Sequence, residues 1–84
     1  MERTVILERV REVVSDVFSV PVIEITPETQ LVLDLEADSL QQVELMEALQ
    51  DEFEIELDED EFLMLDTPAD IVDLIEEALE EQGR

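Results

Sequence analysis

Apolar residues recur along this chain at helical spacing. Ile6, Val10, Val13, Val14 and Val17 stand at i, i+4, i+7, i+8 and i+11, with Glu8, Arg9, Arg11, Glu12 and Asp16 mostly between them. That pattern predicts an amphipathic first helix over roughly residues 3 to 17. Its valines are poor helix formers, so packing rather than propensity must hold it. A second helix is expected from Ser39 to about Phe53, where Leu45, Leu49 and Phe53 form one line toward the core with Met46 beside it. Asp58 and Glu61 make an Asp-x-x-Glu box that can cap a short third helix over about residues 59 to 65. There Phe62 and Leu65 point one way, and Leu63 and Met64 cannot fully share that face. Thr67-Pro68-Ala69-Asp70 is the firmest start signal, with a threonine N-cap, a proline in the first turn and an acidic third position. Ile71, Leu74, Ile75, Ala78 and Leu79 continue it at helical spacing, and it should end before Gly83.

Between Phe18 and Ala37 the helical period is lost. Val20, Val22 and Ile25 resemble a strand, but Pro21 and the lack of a second strand argue against one. The segment reads as a long packed loop in which Phe18, Val22, Ile25, Leu31, Leu33 and Leu35 close one side of a bundle. Thr26-Pro27-Glu28 is suited to a single helical turn. The expected fold is all-α: one domain over residues 1–84, a small four-helix bundle of three long helices and one short, with a long loop between the first two.

Charge narrows the function. The chain has 26 acidic and 4 basic residues among 84, a formal net charge of -22, with neither cysteine nor histidine. Nucleic acid is excluded as a partner, and basic protein surfaces are favoured. Disulfides, thiolate metal sites and histidine-based catalysis are removed. The 45% of hydrophobic residues, at helical spacing, oppose disorder. Charges throughout the first twenty residues argue against a signal peptide, and no apolar run approaches a membrane span, so a soluble, cytoplasmic chain is expected. The acidic runs Asp51-Glu52-Phe53-Glu54 and Asp58-Glu59-Asp60-Glu61 do not form a calcium loop, because the one glycine is Gly83. Diffuse divalent-ion association would relieve repulsion without defining a site. No metal site and no catalytic residue are assigned.

One stretch stands apart: Leu33-Asp34-Leu35-Glu36-Ala37-Asp38-Ser39-Leu40. Asp38 can cap the second helix, and Gln41 can return the bond to the Asp38 amide. Ser39 then falls in the first turn, where the helix dipole and free N–H groups favour an anionic group esterified to its hydroxyl. The plainer reading of Asp38 and Ser39 is an ordinary cap. Leu40 and Val43 either widen the buried stripe, the commoner fate, or stay near the surface.

The order of elements, Asp34-Leu35-Glu36-Ala37-Asp38-Ser39-Leu40, then Val43-Glu44-Leu45, Ala48-Leu49 and Asp51-Glu52-Phe53, resembles the acyl carrier protein family over nearly the whole chain. The resemblance implies that a carrier-protein synthase (a phosphopantetheinyl transferase) attaches 4'-phosphopantetheine from coenzyme A to Ser39. The arm's thiol would carry acyl groups as thioesters, and the protein would catalyse nothing itself. Asp38 would fix the helix start and could help coordinate the transferase's metal. Glu44, Glu47 and Asp51 would dock on basic patches of the synthase and of acyl-transfer and chain-elongation enzymes, with Leu40 and Val43 as a small apolar contact. The expected role is a monomeric carrier in fatty-acid or related acyl biosynthesis. The alternatives are a polyketide or aminoacyl carrier, or an unmodified acidic helical adaptor.

Three departures from the family pattern stand out. Glu36 occupies a position that usually holds glycine, so the loop before Ser39 is open to a different shape. Glu47 replaces a residue that is commonly apolar in fatty-acid carriers. Phe62-Leu63-Met64-Leu65 is unusually apolar, so Leu63 or Met64 is expected either as an exposed patch beside the arm or as added core.

Overall fold

In the computed structural model, which describes residues 1–83, five helices and one 3-10 turn follow in order. They are α1 (Arg3–Phe18), the 3-10 turn (Val22–Glu24), α2 (Leu31–Leu35), α3 (Ser39–Phe53), α4 (Glu59–Leu63) and α5 (Pro68–Glu81). The expected all-α bundle with three long helices is observed. A second short helix, α2, lies within what the sequence reads as loop.

The core forms where the periodic positions converge. Ile6, Val10 and Val14 of α1 meet Leu45, Leu49 and Phe53 of α3 and Ile71, Ile75 and Leu79 of α5, all buried. Val13, Val17 and Leu74 pack at its margin. Val72 is also buried, although the periodic pattern leaves it out. α1 packs on both α3 and α5, and α4 leans on α3.

The arginines of α1 reach three different neighbours. Arg3 bonds Asp73, at 2.7 Å, and Glu76 on α5, and these hydrogen bonds raise its guanidinium pKa. Arg9 lies 3.7 Å from Glu52 and 5.8 Å from the Phe53 ring centroid on α3. Arg11 donates to the Ile25 carbonyl at 2.6 Å and the Val22 carbonyl at 3.0 Å, fastening the 3-10 turn.

α1 and α3 stop in the same way. Ser19 and Glu54 adopt left-handed conformations, φ 56° and 54°. The following amides, Val20 and Ile55, bond back to the Ser15 and Gln50 carbonyls at 3.1 and 3.2 Å. Each reversal satisfies a terminal carbonyl and turns an apolar residue inward.

The helical turn expected at Thr26-Pro27-Glu28 is a plain turn instead. Thr29 Oγ1 accepts the Thr26 amide at 2.8 Å, and the Thr26 carbonyl accepts the Thr29 amide at 3.1 Å, closing the chain on itself. The Pro27 carbonyl accepts the Ala69 amide at 3.0 Å across to α5, and the Leu31 amide that a continuing helix would aim at it donates to the Asp66 carbonyl instead. Of the residues expected to close one side of the bundle, Ile25 and Leu31 are buried and Phe18 and Leu35 are half-buried. Val22 and Leu33 are exposed, contrary to expectation. Leu33 sits within α2, whose Leu31 and Leu35 share the inward face at i, i+4, leaving Leu33 on the opposite side. α4 is shorter than expected and ends at Leu63, with Met64 as its C-cap. Its Asp58 cap accepts the Glu61 amide at 3.0 Å.

Candidate functional site

Ser39 is the first residue of α3, and its position is set from both sides. Downstream, Asp38 is extended (φ -99°, ψ 176°) and its Oδ1 accepts the Gln41 amide at 2.8 Å, while Gln41 Oε1 accepts the Asp38 amide at 3.3 Å. This is the complete reciprocal capping box expected from the sequence. The Asp38 carbonyl accepts the Gln42 amide at 3.0 Å and begins the helix ladder.

Upstream, the chain enters through α2. The Leu31 amide donates to the Asp66 carbonyl at 2.8 Å, tying α2 to the segment before α5. Asp34 Oδ2 accepts the Gln30 amide at 2.8 Å, which satisfies a donor at the start of α2. Glu36 then takes the left-handed conformation (φ 55°, ψ 38°), and the Ala37 amide returns to the Leu31 carbonyl at 3.0 Å with Ala37 buried. The position expected to disturb the loop therefore adopts the geometry that glycine reaches freely, at a cost of about 1–2 kcal/mol for a residue with a Cβ.

The result is a projecting hydroxyl. Ser39 is exposed, and among the described residues its hydroxyl and the amides of Ser39 and Leu40 have no hydrogen-bond partner. Two unsatisfied helix-start donors beside an exposed hydroxyl suit a phosphodiester, which needs neither a cavity nor a basic pocket. A groove of about 270 Å³ lies elsewhere, where Glu56, Leu57 and Asp58 face Leu74 and Ala78 of α5. Among the described residues no cluster of three or more side chains suited to a metal ion is present.

The other candidate residues divide by exposure. Leu40, Glu44, Glu47 and Asp51 are exposed at i, i+4, i+7 and i+11 on one stripe of α3. Val43 is half-buried, between its two expected fates. Glu44, Glu47 and Asp51 make no ion pair among the described residues. Met64 is 86% exposed while Leu63 is half-buried, so the two divide the expected patch unequally. Sequence reasoning placed Leu33 in the core, but it is exposed; the i, i+4 pairing of Leu31 and Leu35 was the signal that could have revealed it.

Comparison with known proteins identifies a family. A family model described as "Phosphopantetheine attachment site" matches residues 8–75. An acyl carrier protein of Thermosynechococcus vestitus is 41% identical over 75 residues, covering 89% of this chain and 93% of its own. Acyl carrier protein 3 of Ralstonia nicotianae is 37% identical over 83 residues, covering 99% and 95%. An acyl carrier protein of Thermobifida fusca is 38% identical over 71 residues, covering 84% and 90%. With a family match across most of its length, relatives of matching size and a helical bundle that presents a capped, exposed serine, the chain belongs to the acyl carrier protein family, whose members carry phosphopantetheine and are not enzymes.

Proposed function

We propose that Ser39 is the attachment residue and that the chain, acting as one carrier domain, holds acyl groups for fatty-acid or related acyl biosynthesis. The observation that carries this reading is the exposed Ser39 hydroxyl, first in α3 behind a complete capping box. In the attachment reaction the Ser39 oxygen gives up its proton to the synthase and displaces the nucleotide from the phosphopantetheine phosphate of coenzyme A. Asp38 keeps the helix start rigid, so the hydroxyl meets the synthase in one geometry. The Ser39 and Leu40 amides remain free to bond the phosphate oxygens. When bound, the arm supplies a thiol on which acyl groups are held as thioesters, chemistry that a chain without cysteine cannot perform alone.

Glu44, Glu47 and Asp51 present carboxylates to basic patches on the synthase and on acyl-transfer and elongation enzymes, and Leu40 and Val43 add an apolar contact. Exposed ion pairs contribute only about 0.2–1 kcal/mol each, which favours rapid exchange among partners over tight binding. Self-repulsion at a net charge of -22 favours a monomer. No described helix is long and apolar enough to cross a membrane, in keeping with a cytoplasmic carrier.

Incubation with coenzyme A and a carrier-protein synthase, followed by intact mass measurement, tests the reading. A single phosphopantetheine increment is expected, and it should vanish in Ser39→Ala. No increment would overturn the assignment and favour an unmodified acidic adaptor, whereas an increment that persists in Ser39→Ala would overturn it by placing the arm on another residue. A polyketide or aminoacyl carrier is the second reading, favoured by exposed Glu47 on the docking stripe. The thioester found on purified holo protein separates the two.

A further inference from the structure

We propose that Gln41 is a positioning residue for the phosphodiester on Ser39. Its Oε1 stays on the Asp38 amide while its Nε2 joins the Ser39 and Leu40 amides as a third donor to the phosphate oxygens. Its neutrality keeps a second carboxylate, beyond Asp38, away from them. The proposal rests on Ser39 being the attachment residue.

The capping box fixes one end of the Gln41 carboxamide and leaves the other open. Oε1 accepts the Asp38 amide at 3.3 Å, which holds the group at the helix end that carries Ser39. Nε2 has no partner among the described residues, and it carries two N–H donors. A phosphodiester has one negative charge and two unesterified oxygens, which accept more bonds than the two free amides supply. Donors to such an ionised acceptor bond about twice as strongly as to a neutral one.

The distribution of charge points the same way. Carboxylates are favoured at helix starts, and 26 of the 84 residues are acidic. The first turns of α2, α4 and α5 contain Asp34, then Glu59, Asp60 and Glu61, then Asp70. The first turn of α3 contains none. α1 also lacks one, but it has no side-chain cap and no serine at its start.

α4 provides an internal comparison. It begins with a similar box in which Glu61 takes the place of glutamine. Asp58 accepts the Glu61 amide at 3.0 Å, but among the described residues the Glu61 side chain returns no bond to the Asp58 amide. A carboxylate at that position faces repulsion from the capping aspartate and has no N–H to offer. Beside Ser39 the chain instead carries the box residue that returns the bond and keeps a donor.

The test compares apo and holo protein, the holo form made with coenzyme A and a carrier-protein synthase and verified by intact mass. Melting temperatures are measured in both states for wild type, Gln41→Glu, Gln41→Met and Gln42→Glu. Each variant is its own reference, so what a substitution does to the apo fold cancels in the holo-minus-apo difference. That difference should fall by about 4 °C in Gln41→Glu, which loses the donor and gains a charge, and by less in Gln41→Met, which only loses the donor. It should match wild type in Gln42→Glu, which adds the same charge outside the box. In nitrogen-15 spectra of the wild-type chain, the Gln41 side-chain amide should move on loading, and farther than that of Gln42. Equal differences in wild type and Gln41→Glu would overturn the proposal, as would an equal fall in Gln42→Glu or a Gln41 side-chain signal that loading leaves in place. If Gln41→Glu resists loading, the wild-type Gln41 signal decides. A wild-type chain that gains no phosphopantetheine increment would instead defeat the Ser39 assignment, and this proposal with it.

Discussion

Gln82 holds Glu56 by both ends of its side-chain amide: Nε2 donates to the Glu56 carbonyl at 2.8 Å, and Oε1 accepts the Glu56 amide at 2.9 Å. One side chain thus reproduces the paired bonds of a β-bridge and joins the end of α5 to the loop after α3. Both residues are exposed, so water replaces part of what is lost on truncation. Gln82→Ala should lower stability by about 1 kcal/mol in urea unfolding. Gln82→Glu should cost more, because a carboxylate cannot donate to the Glu56 carbonyl and adds charge beside Glu81. Equal urea midpoints for Gln82→Glu and wild type would show that the pair does not persist in solution.

Strain at Glu36 gives an expectation of the opposite sign. Its left-handed backbone (φ 55°) penalises every residue with a Cβ, so Glu36→Gly should stabilise the chain by about 0.5–1 kcal/mol. Glu36→Gln removes the charge and keeps the Cβ, separating strain from repulsion. A gain in Glu36→Gln equal to that in Glu36→Gly would assign the effect to charge alone.

Asp38 and Ser39 should separate cleanly in mutagenesis. Asp38→Ala removes the bond to the Gln41 amide and should cost about 0.5–2 kcal/mol, whereas Asp38→Asn keeps an acceptor and should cost less. Ser39→Ala removes a hydroxyl with no described partner and should leave thermal unfolding nearly unchanged. A large destabilisation in Ser39→Ala would mean that the hydroxyl supports the fold.

Salt should stabilise the fold. With a net charge of -22, screening of self-repulsion should raise the urea midpoint as ionic strength increases, and should slow association with basic partners. Midpoints that stay flat across ionic strength would contradict the first half.

The Arg3 cluster should be indifferent to pH over the ordinary range. The hydrogen bonds that Arg3 donates to the Asp73 and Glu76 carboxylates raise the guanidinium pKa above its usual value, so what it contributes is complete below that value and is lost only as pH rises beyond it. Melting profiles of wild type and Arg3→Gln should therefore run parallel between about pH 6 and about pH 10. Profiles that diverge within that window would implicate another titrating group.

The long helices and the Ser39 junction were legible because their signals are local. The Asp38–Gln41 box, the Thr67-Pro68 start and the valine spacing of α1 each act within a few residues. α2 was missed because the contacts defining it are distant in sequence: the Asp66 carbonyl receives the Leu31 amide, and the Ala69 amide occupies the Pro27 carbonyl. Leu33 and Val22 were misplaced for the same reason, since an apolar residue in a short irregular segment lacks enough period to assign its face. At Glu36 sequence reasoning identified an unusual residue but not that the backbone there would still turn left-handed.

The way α1 uses its arginines bears on how the carrier meets a partner. Arg3, Arg9 and Arg11 cancel Glu8, Glu12 and Asp16, so α1 is electrically neutral, whereas α3 carries Glu44, Glu47, Asp51 and Glu52 with no cation. An uneven distribution of this kind feels a torque in the field of a basic enzyme. Because α5 likewise carries Asp70, Asp73, Glu76, Glu77, Glu80 and Glu81 with no cation, the molecule would be turned before contact with α1 to the rear and α3 and α5 forward, so that fewer encounters are spent on the neutral face.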